Sequence, residues 1–138
     1  MECDEVILLD THAVLWMADG DHGLGRHSHA IAQQARQEGQ LAVSAISFWE
    51  IALLAAKNRI ELSQPPAELR TELLDTGVLE LPLTGNIAIL AVGLDTLHGD
   101  PADRFIVATA IAHDATLMTA DKALLRWKNK LPRQDASK

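Results

Sequence analysis

The sequence predicts a three-layer α/β/α sandwich around a central parallel β-sheet of four to five strands. Short apolar runs alternate with longer helix-patterned segments along the whole chain. Alternation at this spacing favours parallel strands with helices covering both faces of the sheet. No internal repeat, low-complexity tract or linker interrupts the 138 residues. One domain spanning 1–138 is therefore expected, with its core at about 5–127 and a basic, solvated tail at 128–138.

Each element has a local reason. VILLD (6–10) is an apolar strand that ends in a carboxylate, and Thr11 can cap the helix THAVLWMA that follows. DGDHGLG (19–25) reads as a Gly/Asp loop, SHAIAQQARQEG (28–39) as a helix ended by Gly39, and LAVSA (41–45) as a second strand. Ser47 is expected to open a third helix through FWEIALLAAKNRI, whose broad apolar face suits a core or a partner surface. QPPAELRTELLDTG (64–77) starts on Pro and ends on Gly, as a helix should. VLELPL (78–83) is a third strand and TGNIAILAVGLDTL (84–97) a further helix. Residues 101–114 form another helix, TLMT (116–119) a fourth strand, and a last helix runs from about Asp121 to Trp127. LPRQDASK holds too few apolar residues to predict a fifth strand.

A chain of this length buries roughly two-thirds of its unfolded surface and needs no disulfide to fold. The lone Cys3 fits a reducing cytoplasm, MECDE is unlike the positive start of a signal peptide, and no apolar run approaches the ~18–20 residues of a membrane span. The net charge of −7 argues at first against a nucleic-acid partner. Its distribution changes that reading: from Lys122 to Lys138 six basic residues face the single Asp135, and the rest of the chain carries the acid.

In a parallel sheet all carboxyl ends of the strands face one crevice. Asp10 closes the first strand, Glu50 lies in the helix after the second, and Asp121 follows the fourth. Asp103, near the start of the helix before the fourth strand, joins them if its loop returns to that edge. Each acid also has a plainer reading. Glu50 completes S-x-x-E with Ser47, Asp103 is a first-turn acid behind an Asp100 cap and Pro101, and Asp121 can cap its own helix. Asp10 is harder to dismiss, because an acid directly after a core strand is costly unless something pairs it. If the four converge, they cannot all stay ionised without a cation. Oxygen-only ligands select Mg²⁺ or Mn²⁺ over Zn²⁺, and such a site suits phosphodiester hydrolysis.

Together LLDTHAVLW (8–16), SAISFWEIALL (44–54), HGDPADRFIVATA (98–110) and TLMTAD (116–121) resemble, in this order, a PIN-domain protein, and more closely a VapC-type toxin of bacterial toxin–antitoxin pairs. The resemblance implies a Mg²⁺- or Mn²⁺-dependent endoribonuclease, usually a homodimer, inhibited by a cognate VapB-type antitoxin that itself binds operator DNA. It implies Asp10, Glu50 and Asp103 as principal metal ligands, with Asp121 completing the cluster directly or through water. Thr11 and Thr119 would orient carboxylates or water, and Asp100 supports the same loop. Arg104, Lys122 and Arg126 are the basic candidates for the RNA, which is expected to be single-stranded or looped.

His12 and His98 lie near acids and could touch substrate, whereas His22, His27 and His29 read as solvated. Trp16 and Trp49 read first as core or interface anchors, with stacking on RNA as the lesser alternative. Two other functions compete. A PIN-like module without catalysis would bind RNA or protein only, and a receiver-like signalling domain would also hold Mg²⁺, although VLELPL lacks the trailing Asp such a domain needs. A DNA nuclease would use the same carboxylates.

Overall fold

The computed structural model describes residues 5–20, 22–97 and 99–138. Cys3, Asp21 of the 19–25 loop and His98 lie outside the described residues. Five strands, β1 (Ile7–Leu9), β2 (Leu41–Ser44), β3 (Leu79–Leu81), β4 (Thr116–Thr119) and β5 (Arg133–Asp135), pair in the order β3-β2-β1-β4-β5. Every pairing is parallel, with Leu8 opposite Ala42 on one side and Leu117 on the other.

The pleat sends alternate residues to opposite faces, and each face meets its own helices. Ile7, Leu9, Leu41, Val43 and Met118 pack with α1 (Thr11–Asp19), α2 (Arg26–Gln37), α3 (Ala45–Ala56) and α4 (Pro66–Asp75) through Val14, Ala32, Ile51 and Leu69. Leu8, Ala42 and Leu117 pack with α5 (Gly85–Val92), α6 (Pro101–Ala112) and α7 (Lys122–Arg126) through Ile87, Ile106 and Leu124. Leu8 and Leu9 are fully buried, each stabilising the fold by roughly 1.5–3 kcal/mol. The central strand is therefore apolar on both faces, and its first polar residue is Asp10. Among the described residues no helix is long and apolar enough to cross a membrane.

The structure differs from the sequence expectations at four places. The 128–138 segment is not a free tail, because Arg133–Asp135 forms the fifth strand that LPRQDASK appeared too polar to make. An edge strand can rest on backbone pairing and its flanks: Leu117 N–H donates to Pro132 O at 3.0 Å, Ala136 N–H to Thr119 O at 2.9 Å, and Leu131 and Ala136 are buried beside it. Ser44, not Ser47, caps α3, its hydroxyl accepting from Ile46 N–H at 3.2 Å. The helix expected to reach residue 97 stops at Val92. Of the two places expected for Trp49, core or interface, its 54% exposure removes the core.

Arg104 explains why α5 stops. Its guanidinium donates to the carbonyls of Ala91, Val92, Leu94 and Leu97 at 2.9–3.2 Å, gathering the end of α5 and the connection beyond it. Carbonyls that would otherwise lack partners at a helix end are satisfied. The connection so folded returns the chain to the carboxyl edge, where α6 begins. Arg104 is thus a structural cation here.

Arg104→Met is expected to lower stability by about 2 kcal/mol, since charge-assisted hydrogen bonds to several carbonyls are lost. Urea denaturation checks this: the midpoint should fall with the slope unchanged, and Arg104→Lys should recover little, because one ammonium cannot span four carbonyls.

Candidate active site

Asp10 stands where β1 becomes α1. One carboxylate oxygen accepts Ala13 N–H at 2.9 Å, which caps α1, and the other accepts the hydroxyl of the fully buried Thr119. Burial pushes the Asp10 carboxyl above its ordinary range, against the opposing pull of these hydrogen bonds and of nearby His12. The Thr119 oxygen in turn accepts Asp121 N–H at 3.0 Å, so a single hydroxyl fixes both acids that flank the central strands.

Asp121 caps α7, accepting from Ala123 N–H at 2.8 Å and Leu124 N–H at 3.2 Å. Asp100 caps α6, accepting from Asp103 N–H at 3.3 Å. Glu50 projects from the second turn of α3, one turn beyond the buried Ser47. Ser47 is not the cap of a Ser–Glu box. Its hydroxyl accepts from Thr11 at 3.1 Å, tying α3 to the first turn of α1.

These acids meet. A cavity of about 300 Å³ is lined by Asp10, Glu50, Asp100, Asp103 and Asp121, together with Thr11, His12, Trp16 and Ala120. Asp103 records the crowding: burial first, and then the fields of Asp100, Asp121, Glu50 and Asp10, push its carboxyl up from 3.8 to about 7. A larger cavity of about 370 Å³ between α1, α2 and α4 has Glu72 as its one lining carboxylate and shows no such convergence.

The carboxylates share the cavity without forming a closed cage. Among the described residues, no group of three or more His, Cys, Asp or Glu is gathered tightly enough to hold a metal ion. Fit to a hard divalent cation rests instead on donor chemistry and field: the acidic lining offers oxygen ligands, and burial together with the neighbouring carboxylates raises Asp103.

Of the residues singled out from sequence, the four principal acids, Thr11 and Asp100 reach the cavity wall, and Thr119 lies directly behind Asp10. Lys122 is exposed at the start of α7 and, like Arg104, does not line it. Ser47 was hidden by its resemblance to a cap. His12 and Trp16, both named from the sequence as lesser candidates for substrate contact, line the cavity too, one helical turn apart on α1.

The chain matches the family described as the PIN domain over residues 7–130. It is 37% identical over 127 residues to Ribonuclease VapC22 of Mycobacterium tuberculosis, covering 91% of this chain and 95% of that protein. Among solved structures it is similar to VapBC2 from Rickettsia felis bound to a DNA fragment from their promoter, with TM-score 0.68, 17% identity, and 94% and 97% of the two chains covered. A toxin–antitoxin complex from Klebsiella pneumoniae shares the fold at TM-score 0.60 and 24% identity, over 88% and 92% of the chains.

A carboxyl whose folded pKa is raised favours folding below its ordinary pKa and loses that contribution as pH rises through the folded value. The metal-free protein should therefore lose stability as pH climbs from about 4 to about 7. Asp103→Asn should match it at pH 4 and exceed it at pH 8, by about 1 kcal/mol or about 3 °C in Tm after allowance for solvent screening. Thermal melts in EDTA at the two pH values check this, and a variant less stable than the parent at pH 8 would contradict the crowding.

Proposed function

Because this chain belongs to the PIN-domain family, and within it to the VapC group, we propose that it is a divalent-metal-dependent endoribonuclease, the toxin of a toxin–antitoxin pair. One observation carries the reading: acids from four separate segments of the chain line one cavity, where burial and then their mutual fields push the carboxyl of Asp103 up to about 7. Asp10, Glu50 and Asp103 would hold the ion, with Asp121 completing the set directly or through water. A bound Mg²⁺ or Mn²⁺ supplies acidification of water and neutralisation of charge on the leaving oxygen.

The chain's own groups do the positioning. Thr119 and Ala13 N–H hold the two oxygens of Asp10, so that its carboxylate cannot turn away from the cavity. The Thr11–Ser47 bond locks the helix that carries Glu50, and Asp100 fixes the first turn that carries Asp103. Asp10, Asp100 and Asp121 are the N-caps of α1, α6 and α7, so three positive helix ends face the acidic site and offset part of its charge.

The substrate is read as single-stranded or looped RNA, and the whole chain as one catalytic domain acting in the cytoplasm. A cognate VapB-type antitoxin is the inhibitory partner, and operator DNA is reached only through it. Support comes from the similar folds, whose descriptions name a toxin–antitoxin complex and VapBC2 bound to promoter DNA. Ile89 and Val92, 75% and 81% exposed, give α5 an apolar outer face suited to a second copy in a homodimer.

Purified protein should cut labelled single-stranded RNA with Mg²⁺ or Mn²⁺ and not with EDTA. Asp10→Asn and Asp103→Asn should each lower the rate by roughly 100-fold or more while remaining folded. Full activity in both variants would remove the site assignment, and metal-independent binding without cutting would favour the inert module. Thr119→Val should lose about 10- to 100-fold through misorientation of Asp10, with Thr119→Ser close to the parent.

A further inference from the structure

The acidic cavity presents a difficulty for a polyanionic substrate. None of the described residues lining it is Lys or Arg, and the whole chain carries −7. Basic side chains usually provide most of the affinity for nucleic acid through the phosphates. Here that source is missing from the wall, whereas two rings are present. His12 and Trp16 line the same cavity, one helical turn apart on α1, with ring centroids 6.3 Å apart and planes inclined at 54°.

The indole is held in place. Gly23 lies so close to it that a Cβ at this position would come within 2.6 Å of the ring, so the loop backbone lies against the indole and only glycine permits the approach. Trp16 is only partly buried, with core residues on its inner side, and His12 is exposed. A large aromatic braced from behind and left open toward a polar cavity has the form of a stacking surface. Every base has a π-face, and base–aromatic stacking contributes about 1–3 kcal/mol without any charge on the protein.

We propose that His12 and Trp16 form a platform for the base of the nucleotide adjoining the scissile phosphodiester, positioning single-stranded RNA beside the carboxylates. The proposal rests on the ribonuclease reading above and adds to it which groups grip the substrate. Neither ring takes part in bond breaking. Trp16 and His12 are positioning residues, and the base they hold sets where the phosphodiester falls in the cavity.

The test uses the full chain and a short labelled RNA that it cuts at a mapped position, together with versions carrying one abasic ribose at successive positions. Trp16→Leu keeps apolar bulk but removes the ring, and His12→Ala alters an exposed side chain should the first variant fail to fold. Loss of stacking is expected to raise KM about tenfold, with kcat changed less than about threefold. The abasic position nearest the cut should cost the parent about tenfold in kcat/KM and cost Trp16→Leu almost nothing, since the partner ring is already gone. A merely structural tryptophan would lower kcat and Tm together and leave the abasic penalty intact, which would overturn the platform. Unchanged KM in folded variants of both residues would overturn it too, with the ribonuclease reading still standing. A parent protein that neither cuts nor binds any RNA would overturn both.

Discussion

Repulsion among carboxylates held at one edge of a parallel sheet is the constraint around which the rest of the molecule is arranged. The central strand is apolar on both faces and delivers Asp10 to the edge already buried, so water can do little to quiet its charge. Three helix N-termini, a buried threonine hydroxyl and the elevated carboxyl of Asp103 each take up part of the strain. Folding alone would be served better by neutral side chains at these positions. Retaining the acids makes sense if a cation completes them, and the donor set matches a hard one.

Much of this was legible in the sequence because it follows from short-range pattern. VILLD and TLMT could only be buried strands in an α/β alternation, and Asp100-Pro101 marks the start of α6 by elementary capping chemistry. The grouping of Asp10, Glu50 and Asp121 followed from the geometry of parallel strands. Asp103 was different, since its arrival depends on how Arg104 folds the connection after α5, a contact between positions up to 13 residues apart. Ser47 misled for a related reason: S-x-x-E is a local signal, and the bond that actually engages its hydroxyl comes from Thr11, 36 residues away. β5 was illegible because its stability lies in backbone pairing to β4, which side-chain composition does not record.

The basic residues divide in a way that total charge conceals. Arg133 sits in the most basic part of the chain, yet its guanidinium donates to the carbonyls of Leu124, Leu131 and Asn129 and so shapes the approach to β5. Arg104 does the same for α5. Counting these two among the charges open to a phosphate backbone overstates what the surface offers. On the proposed reading, contacts with RNA would draw more on shape and stacking than on a field of positive charge, which suits a single strand better than a duplex.

The capping role of the acids has an evolutionary consequence. Asp10, Asp100 and Asp121 each close the first turn of a helix, so replacing any of them by a residue that cannot cap removes fold stability along with whatever chemistry it serves. Glu50 carries no cap, and Asp103 caps no helix of its own. A lineage under pressure to disarm this chain while keeping it folded, for instance to preserve a decoy for a partner, would find its least damaging routes at those two positions. Descendants that had lost the proposed activity should therefore keep the aspartates that begin α1, α6 and α7 longer than the two acids that cap no helix.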